Sequence, residues 1–387
     1  MRLMLGVAAT ALLIASSAFA QDEGLTDSTI LIGTFTPTTG PAANFGKVVS
    51  GVEAVYKAVN DEGGINGRKI EIIREDTACD PTRGVAAVKK LISQDRVFML
   101  HGGTCSNVVM AAKPEIVRSG IPFVVAGAAN SHIGTPTEAN IFQPVATTAT
   151  VARTMVDFAM SKPDASKIAI ISHSDDWGKS NRDPAVEYLK SKYNLDPALD
   201  LFMERGSTDT TPQVLRLRQA NPDVILAMLY PAEVAIFMRD MYKYGLRVPT
   251  LGTQAISIED TKNRVGNPAA VENFYVFYPV AAPIDSPTMK PYYDMVAKYF
   301  PNERPETLSF LGMGGAYAVV EALKNAGPDL TREKFVAAMN AIHDLDTGVA
   351  SAPIGFTPED HVGIKGGAMV TYVDGEAMVV HELTPQD

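Results

Sequence analysis

Short apolar runs alternate with longer amphipathic ones along most of the chain. Residues 29–34, 69–74, 97–101, 123–126, 167–172, 224–228 and 250–252 form brief runs, most of them continuously apolar. Strands buried on both faces of a parallel sheet have this character, so the runs predict strands. Between them lie the segments 48–62, 83–94, 153–160, 184–193, 211–219 and 233–244. There apolar residues recur at three- and four-residue spacing, which predicts helices with one buried face. Asp80-Pro81 suits a helix start, with Asp80 as N-cap and Pro81 in the first turn. Gly245 suits the left-handed position just past a helix end.

Strand–helix–strand alternation predicts an α/β fold of doubly wound type. The alternation runs through two blocks, 25–143 and 146–277. A more helical stretch follows, with helices expected at 291–299 and 312–325, and short strands and turns are expected from 353 onward.

The first residues narrow the setting. Arg2 precedes an uncharged, mostly apolar run at 3–19, and Ala18-Phe19-Ala20 supplies small residues for a signal peptidase. Residues 1–20 are therefore expected to be an export signal cleaved before Gln21, with a first membrane helix as the competing reading. With no cysteine beside that site, a lipid anchor is not expected. About 365 residues would remain, enough for two domains of ordinary size. Net charge is −10, and Lys and Arg are scattered. Nucleic acid would need a basic stripe, so no such partner is expected. Two cysteines, Cys79 and Cys105, behind an export signal favour a disulfide, while a catalytic thiolate at Cys105 is the alternative.

Catalytic signatures are missing where they would be needed. The first loop reads Thr36-Pro37-Thr38-Thr39-Gly40-Pro41, without the glycines that bring backbone N–H groups to a pyrophosphate. Gly312-Met313-Gly314-Gly315 sits in a helical pattern, where close packing accounts for it. His101, His132, His173, His343, His361 and His381 form no i, i+4 pair, and no G-x-S-x-G elbow occurs. Neither a metal nor a cofactor is expected, nor is the chain expected to be an enzyme. The paired acids Glu75-Asp76 and Asp175-Asp176 read as solvated loop residues.

Ligands of open α/β sheets gather beyond the carboxyl ends of strands. After the 97–101 run comes Gly102-Gly103-Thr104-Cys105-Ser106-Asn107, leading into an apolar helix. Small residues, hydroxyls and free N–H groups at a helix start can hold a carboxylate, although Ser106 could also simply cap its helix. A second such loop is Gly127-Ala128-Ala129-Asn130-Ser131. Trp177, the one tryptophan, is expected in a polar loop lining an opening.

Taken together, Gly40-Pro41-Ala42-Ala43-Asn44-Phe45-Gly46, Glu62-Gly63-Gly64-Ile65-Asn66-Gly67-Arg68, Glu75-Asp76-Thr77-Ala78-Cys79-Asp80-Pro81 and Gly103-Thr104-Cys105-Ser106 resemble the periplasmic leucine/isoleucine/valine-binding protein family over nearly the whole chain. The resemblance implies the type I periplasmic-binding fold. Its two lobes would be 21–143 with 280–350 and 146–277 with 353–387, joined by about three crossings near 143–146, 277–280 and 350–353. It implies a Cys79–Cys105 disulfide, membrane permease subunits of an ABC importer as partners, a monomer, and a periplasmic location. It implies that Ser106 and Ala128, Ala129 and Asn130 grip a ligand carboxylate. Phe45 would be an aromatic wall of one lobe, Trp177 and Tyr230 contacts from the other. Gln254 stands where amino-acid binders of the family carry an acid against the ligand ammonium, and Asn130 replaces a hydroxyl residue. An unpaired buried ammonium is costly. A small organic acid, aromatic acids included, is therefore expected, with a branched-chain or other hydrophobic amino acid as the alternative. A cleft enzyme and a chemoreceptor partner are the readings outside transport.

Overall fold

The computed structural model describes residues 22–163, 165–284, 286–373 and 376–383. The expected leader and its cleavage site lie outside them. Strands form at β1 (Thr29–Thr36), β2 (Lys69–Asp76), β3 (Met99–Gly102), β4 (Phe123–Val125), β5 (Ile141–Ala146), β6 (Ile168–His173), β7 (Leu199–Met203), β8 (Val224–Met228), β9 (Thr250–Gly252), β10 (Phe274–Tyr278), β11 (Val362–Ile364), β12 (Gly367–Val373) and β13 (Glu376–Leu383). They make two sheets, one ordered β11-β5-β4-β3-β1-β2 and one ordered β13-β12-β10-β9-β8-β6-β7. Every pairing in the first sheet is parallel. In the second, only β10–β12 and β12–β13 are antiparallel. This is the two-lobed, doubly wound α/β architecture expected. The short apolar runs behave as strands covered on both faces, for every residue of β3, β6 and β8 is buried.

Helices pack where the amphipathic spacing placed them. Val48, Val49, Val52, Val55 and Tyr56 form the buried stripe of the Lys47–Asp61 helix. Asp80 caps the Pro81–Ser93 helix by accepting the Arg83 N–H at 2.8 Å. Gly245, with φ +73°, follows the Pro231–Lys243 helix and its cap Tyr244.

Two expectations need correction. A helix anticipated from Pro184 starts instead at Asp176 and runs to Tyr193, with Pro184 inside it. Proline removes a single backbone donor, and the Asp175 cap together with Gly178 fixes the start upstream. A Cβ on Gly178 would come within 2.1 Å of the His173 carbonyl, so only glycine lets this helix start so close to β6. The tail from 353 was expected to lie wholly with the second lobe. Instead β11 joins the first sheet, pairing Val362 with Gln143 and Ile364 with Ala146. It covers the edge of β5 that would otherwise present unpaired backbone groups. The last change of sheet therefore falls between Ile364 and Gly367.

Candidate functional site

The strand ends of the two sheets face one another across a cavity of about 300 Å³. In the first lobe, β3 ends at Gly102 and the chain turns through Gly103, φ +73°, into the Ser106–Ser119 helix. The loop after β4 is bonded to this turn, with the Gly127 and Ala128 N–H groups on the Gly103 carbonyl at 3.2 and 3.0 Å. Ser106 does not cap its helix. Cys105 holds the N-cap position, and Ser106 Oγ instead accepts the Asn130 N–H at 3.3 Å. Buried Gln143 grips the second loop from behind, donating from Nε2 to the Ala128 and Asn130 carbonyls at 2.9 and 3.2 Å. Thr148, at the start of the helix that follows β5, donates its N–H to the Ala129 carbonyl at 2.7 Å. The 127–131 loop is thereby tied to the segment where the chain leaves the first lobe.

Phe45, Val48, Leu308 and Leu311 give the first-lobe side an apolar surface, and the Cys79–Cys105 disulfide forms part of the wall. The cysteines are bonded, with Cα atoms 5.7 Å apart, so Cys105 is not a free thiolate. Asp76 holds the neighbouring loops. It accepts the Thr38, Ala78 and Thr39 N–H groups at 2.8, 3.0 and 3.3 Å, the Thr39 hydroxyl at 2.5 Å and Arg83 Nη2 at 2.8 Å. Burial pushes its carboxyl up, but the bonds from Thr39, Thr38 and Ala78 outweigh that and hold it well below the ordinary carboxylate range. Read as solvated from sequence, Asp76 is a structural hub, and Glu75 is paired to Lys90.

From the second lobe come Trp177, Tyr230, Gln254, Ala255, Asp175 and Arg205. Trp177 lies in the first turn of the Asp176–Tyr193 helix, not in a loop, and stacks on Tyr230 with ring centroids 4.4 Å apart. Asp175 accepts the Gly178 N–H at 2.8 Å and the Tyr230 hydroxyl at 3.3 Å. Burial, then the Asp175 charge, pushes the Tyr230 phenol far above its usual value, so it stays protonated as a donor. Behind Tyr230, buried His173 packs at 4.7 Å and is held below its usual pKa chiefly by burial. Gln254 is 7% exposed, and its Oε1 has no hydrogen-bond partner.

The structure thus gathers Phe45, Ser106, Ala129, Trp177, Tyr230 and Gln254 around one cavity. Ala128 and Asn130 stand outside it. The Ala128 side chain joins the core with Phe35 and Phe123, and Asn130 lines a neighbouring cleft while its Oδ1 accepts the His132 N–H at 2.9 Å. Sequence reasoning missed Asp175, Arg205, Leu308 and Leu311. The Asp175 signal was a cap residue before a helix, and Arg205 follows β7, a strand it had not picked out. Hydroxyls, N–H groups and a neutral amide facing apolar walls suit non-covalent capture of a small polar-headed solute. Among the described residues no His, Cys, Asp and Glu cluster could hold a metal ion.

The fold and this cleft define a two-lobed binding protein, and residues 29–377 match the periplasmic binding protein family. The chain belongs to that family, a family of binding proteins rather than enzymes. It is 24% identical over 367 residues to the leucine-specific-binding protein of Salmonella typhimurium, covering 94% of this chain and 96% of that one. Its fold is similar to the fatty acid ABC transporter substrate-binding protein of Thermomonospora curvata, with a TM-score of 0.81, 24% identity and 95% of each chain covered. It is also similar to an ABC transporter solute binding protein from R. palustris in complex with benzoate, with a TM-score of 0.77, 17% identity, and 92% and 97% covered.

Proposed function

We propose that this chain is the periplasmic solute-binding component of an ABC importer, and that its cleft captures a small organic carboxylate with an uncharged aromatic or aliphatic body. The observation that carries this reading is Gln254. It is a neutral, buried amide in the second-lobe wall, at the position where the family resemblance puts the counter-charge to an ammonium, and its Oε1 is unpartnered. An amide can bond a hydroxyl or carbonyl, but it does not balance a buried cation. At the other end, the Ser106 hydroxyl, the Ala129 backbone and the start of the Ser106–Ser119 helix supply donors for an anion. Phe45, Leu311 and Trp177 would cover the apolar body, and hinge closure between the lobes would bury it for delivery to the permease.

An amino-acid ligand is the second reading, favoured by the Asp175 carboxylate in the same wall. Both Asp175 oxygens are already engaged, by Gly178 and by Tyr230. A thermal-shift panel decides between the two. Benzoate at 100 times its dissociation constant should stabilise the protein by about 2.7 kcal/mol. Stabilisation by amino acids alone would overturn the proposal.

A further inference from the structure

The second lobe brings one arginine to the cavity, and its surroundings are constructed. Arg205 sits in a turn after β7. Gly206 has φ +82° there, and its N–H is held by Oε1 of Glu233 at 2.7 Å. Glu233 is 5% exposed, so a buried carboxylate fixes the turn from below. Ser207 Oγ closes the turn on the Glu204 carbonyl at 2.6 Å. The Arg205 guanidinium carbon lies 4.7 Å from the Tyr230 ring centroid.

Three other arginines of this lobe are ion-paired. Arg182 pairs with Asp183 and Asp200, Arg239 with Asp240, and Arg264 with Asp260. Arg205 has no such partner among the described residues, because Glu233 grips the backbone of the turn and makes no ion pair with it. The acids in the wall are Asp175, which accepts the Tyr230 hydroxyl, and Asp176. Asp175 and Asp176 cap and begin a helix, where its dipole favours negative charge. What remains is an exposed guanidinium whose N–H donors make no protein hydrogen bond among the described residues, positioned over an aromatic ring at the edge of a solute cavity.

Resting on the reading of the cleft as a carboxylate site, we infer that Arg205 is a specificity-determining residue that receives a second anionic group, so that the preferred solutes are dicarboxylic acids. One carboxylate meets the Ser106 loop, the other meets Arg205 when the lobes close, and a small apolar body lies between them. At about 300 Å³ the cavity is at the small end for ligand sites and suits a body of roughly one ring.

Calorimetry with benzoate and benzene-1,4-dicarboxylate, and with hexanoate and hexanedioate, tests this on the purified protein. The diacid of at least one pair should bind about 10-fold more tightly, as one added charge-assisted contact implies, and high salt should narrow the gap. Arg205→Gln should bring the ratio toward one through loss of diacid affinity, and Arg205→Lys should restore part of it. Unchanged melting temperatures would show that the turn still folds. Wild-type protein binding the monoacids as tightly as the diacids would overturn the inference and leave the carboxylate reading standing. Equal loss of both acids in Arg205→Gln would overturn it too. Failure of every acid, with amino acids bound, would instead remove the reading on which it rests.

Discussion

Ser106 Oγ accepts the Asn130 N–H at 3.3 Å, joining the loop after β3 to the loop after β4. A hydroxyl that accepts here still has its proton to donate, so the contact spends only a lone pair and leaves Ser106 able to donate into the cavity. Ser106→Ala should therefore weaken acid binding by about 10- to 100-fold, the worth of a hydrogen bond to a charged group. The melting temperature should fall only slightly, because one long buried bond is lost. Calorimetry and thermal melts on the same variant separate the two effects.

Trp177 is the single tryptophan, and it stacks on Tyr230 in the cavity wall. Its fluorescence should change on ligand binding and saturate with the calorimetric affinity. Tyr230→Phe keeps the stacked ring but loses the bond to Asp175, and should cost about 1 kcal/mol of affinity or less. Trp177→Ala removes an aromatic wall and should cost more, about 2 kcal/mol.

The Cys79–Cys105 disulfide closes a separation of 26 residues and lines the cavity. Loss of the crosslink in a Cys79→Ser, Cys105→Ser double variant should destabilise the fold by about 3 kcal/mol on the chain-entropy account. Ligand affinity should fall as well, because Cys105 is the N-cap residue before Ser106. Denaturant unfolding with and without ligand measures both.

Asp76 sets an acid limit. Its carboxyl is depressed in the folded state, so its stabilising contribution is complete above the unfolded value of about 3.9 and is lost as pH falls toward the folded one. Asp76→Asn should be clearly less stable than wild type at neutral pH. The gap should narrow below about pH 4, and urea unfolding across that range reads it directly.

Much of this arrangement was legible in the chain. The valine stripe of the Lys47–Asp61 helix and the apolar runs of β6 and β8 carry their own periodicity. Loop glycines and Ser106 marked the first-lobe wall because strand ends are where α/β ligands bind. What stayed hidden depended on other kinds of information. β7 reads Leu-Asp-Leu-Phe-Met, an edge strand with exposed Phe202, so neither apolar continuity nor clean alternation revealed it or the Arg205 turn behind it. Pro184 masked the true helix start and misplaced Trp177. Ala128 turns into the core beside Phe123 while Ala129 reaches the cavity, a difference set by backbone angles within one loop.

Leucine and 4-methylpentanoate share one carbon skeleton and differ by an ammonium group, so the pair isolates the role assigned to Gln254. Calorimetry on wild-type protein should show the deaminated acid binding at least about 10-fold more tightly, since an unpaired buried ammonium is disfavoured. Gln254→Glu should shrink or reverse that preference by supplying the counter-charge. Wild-type protein that binds leucine tightly and ignores 4-methylpentanoate would contradict the account.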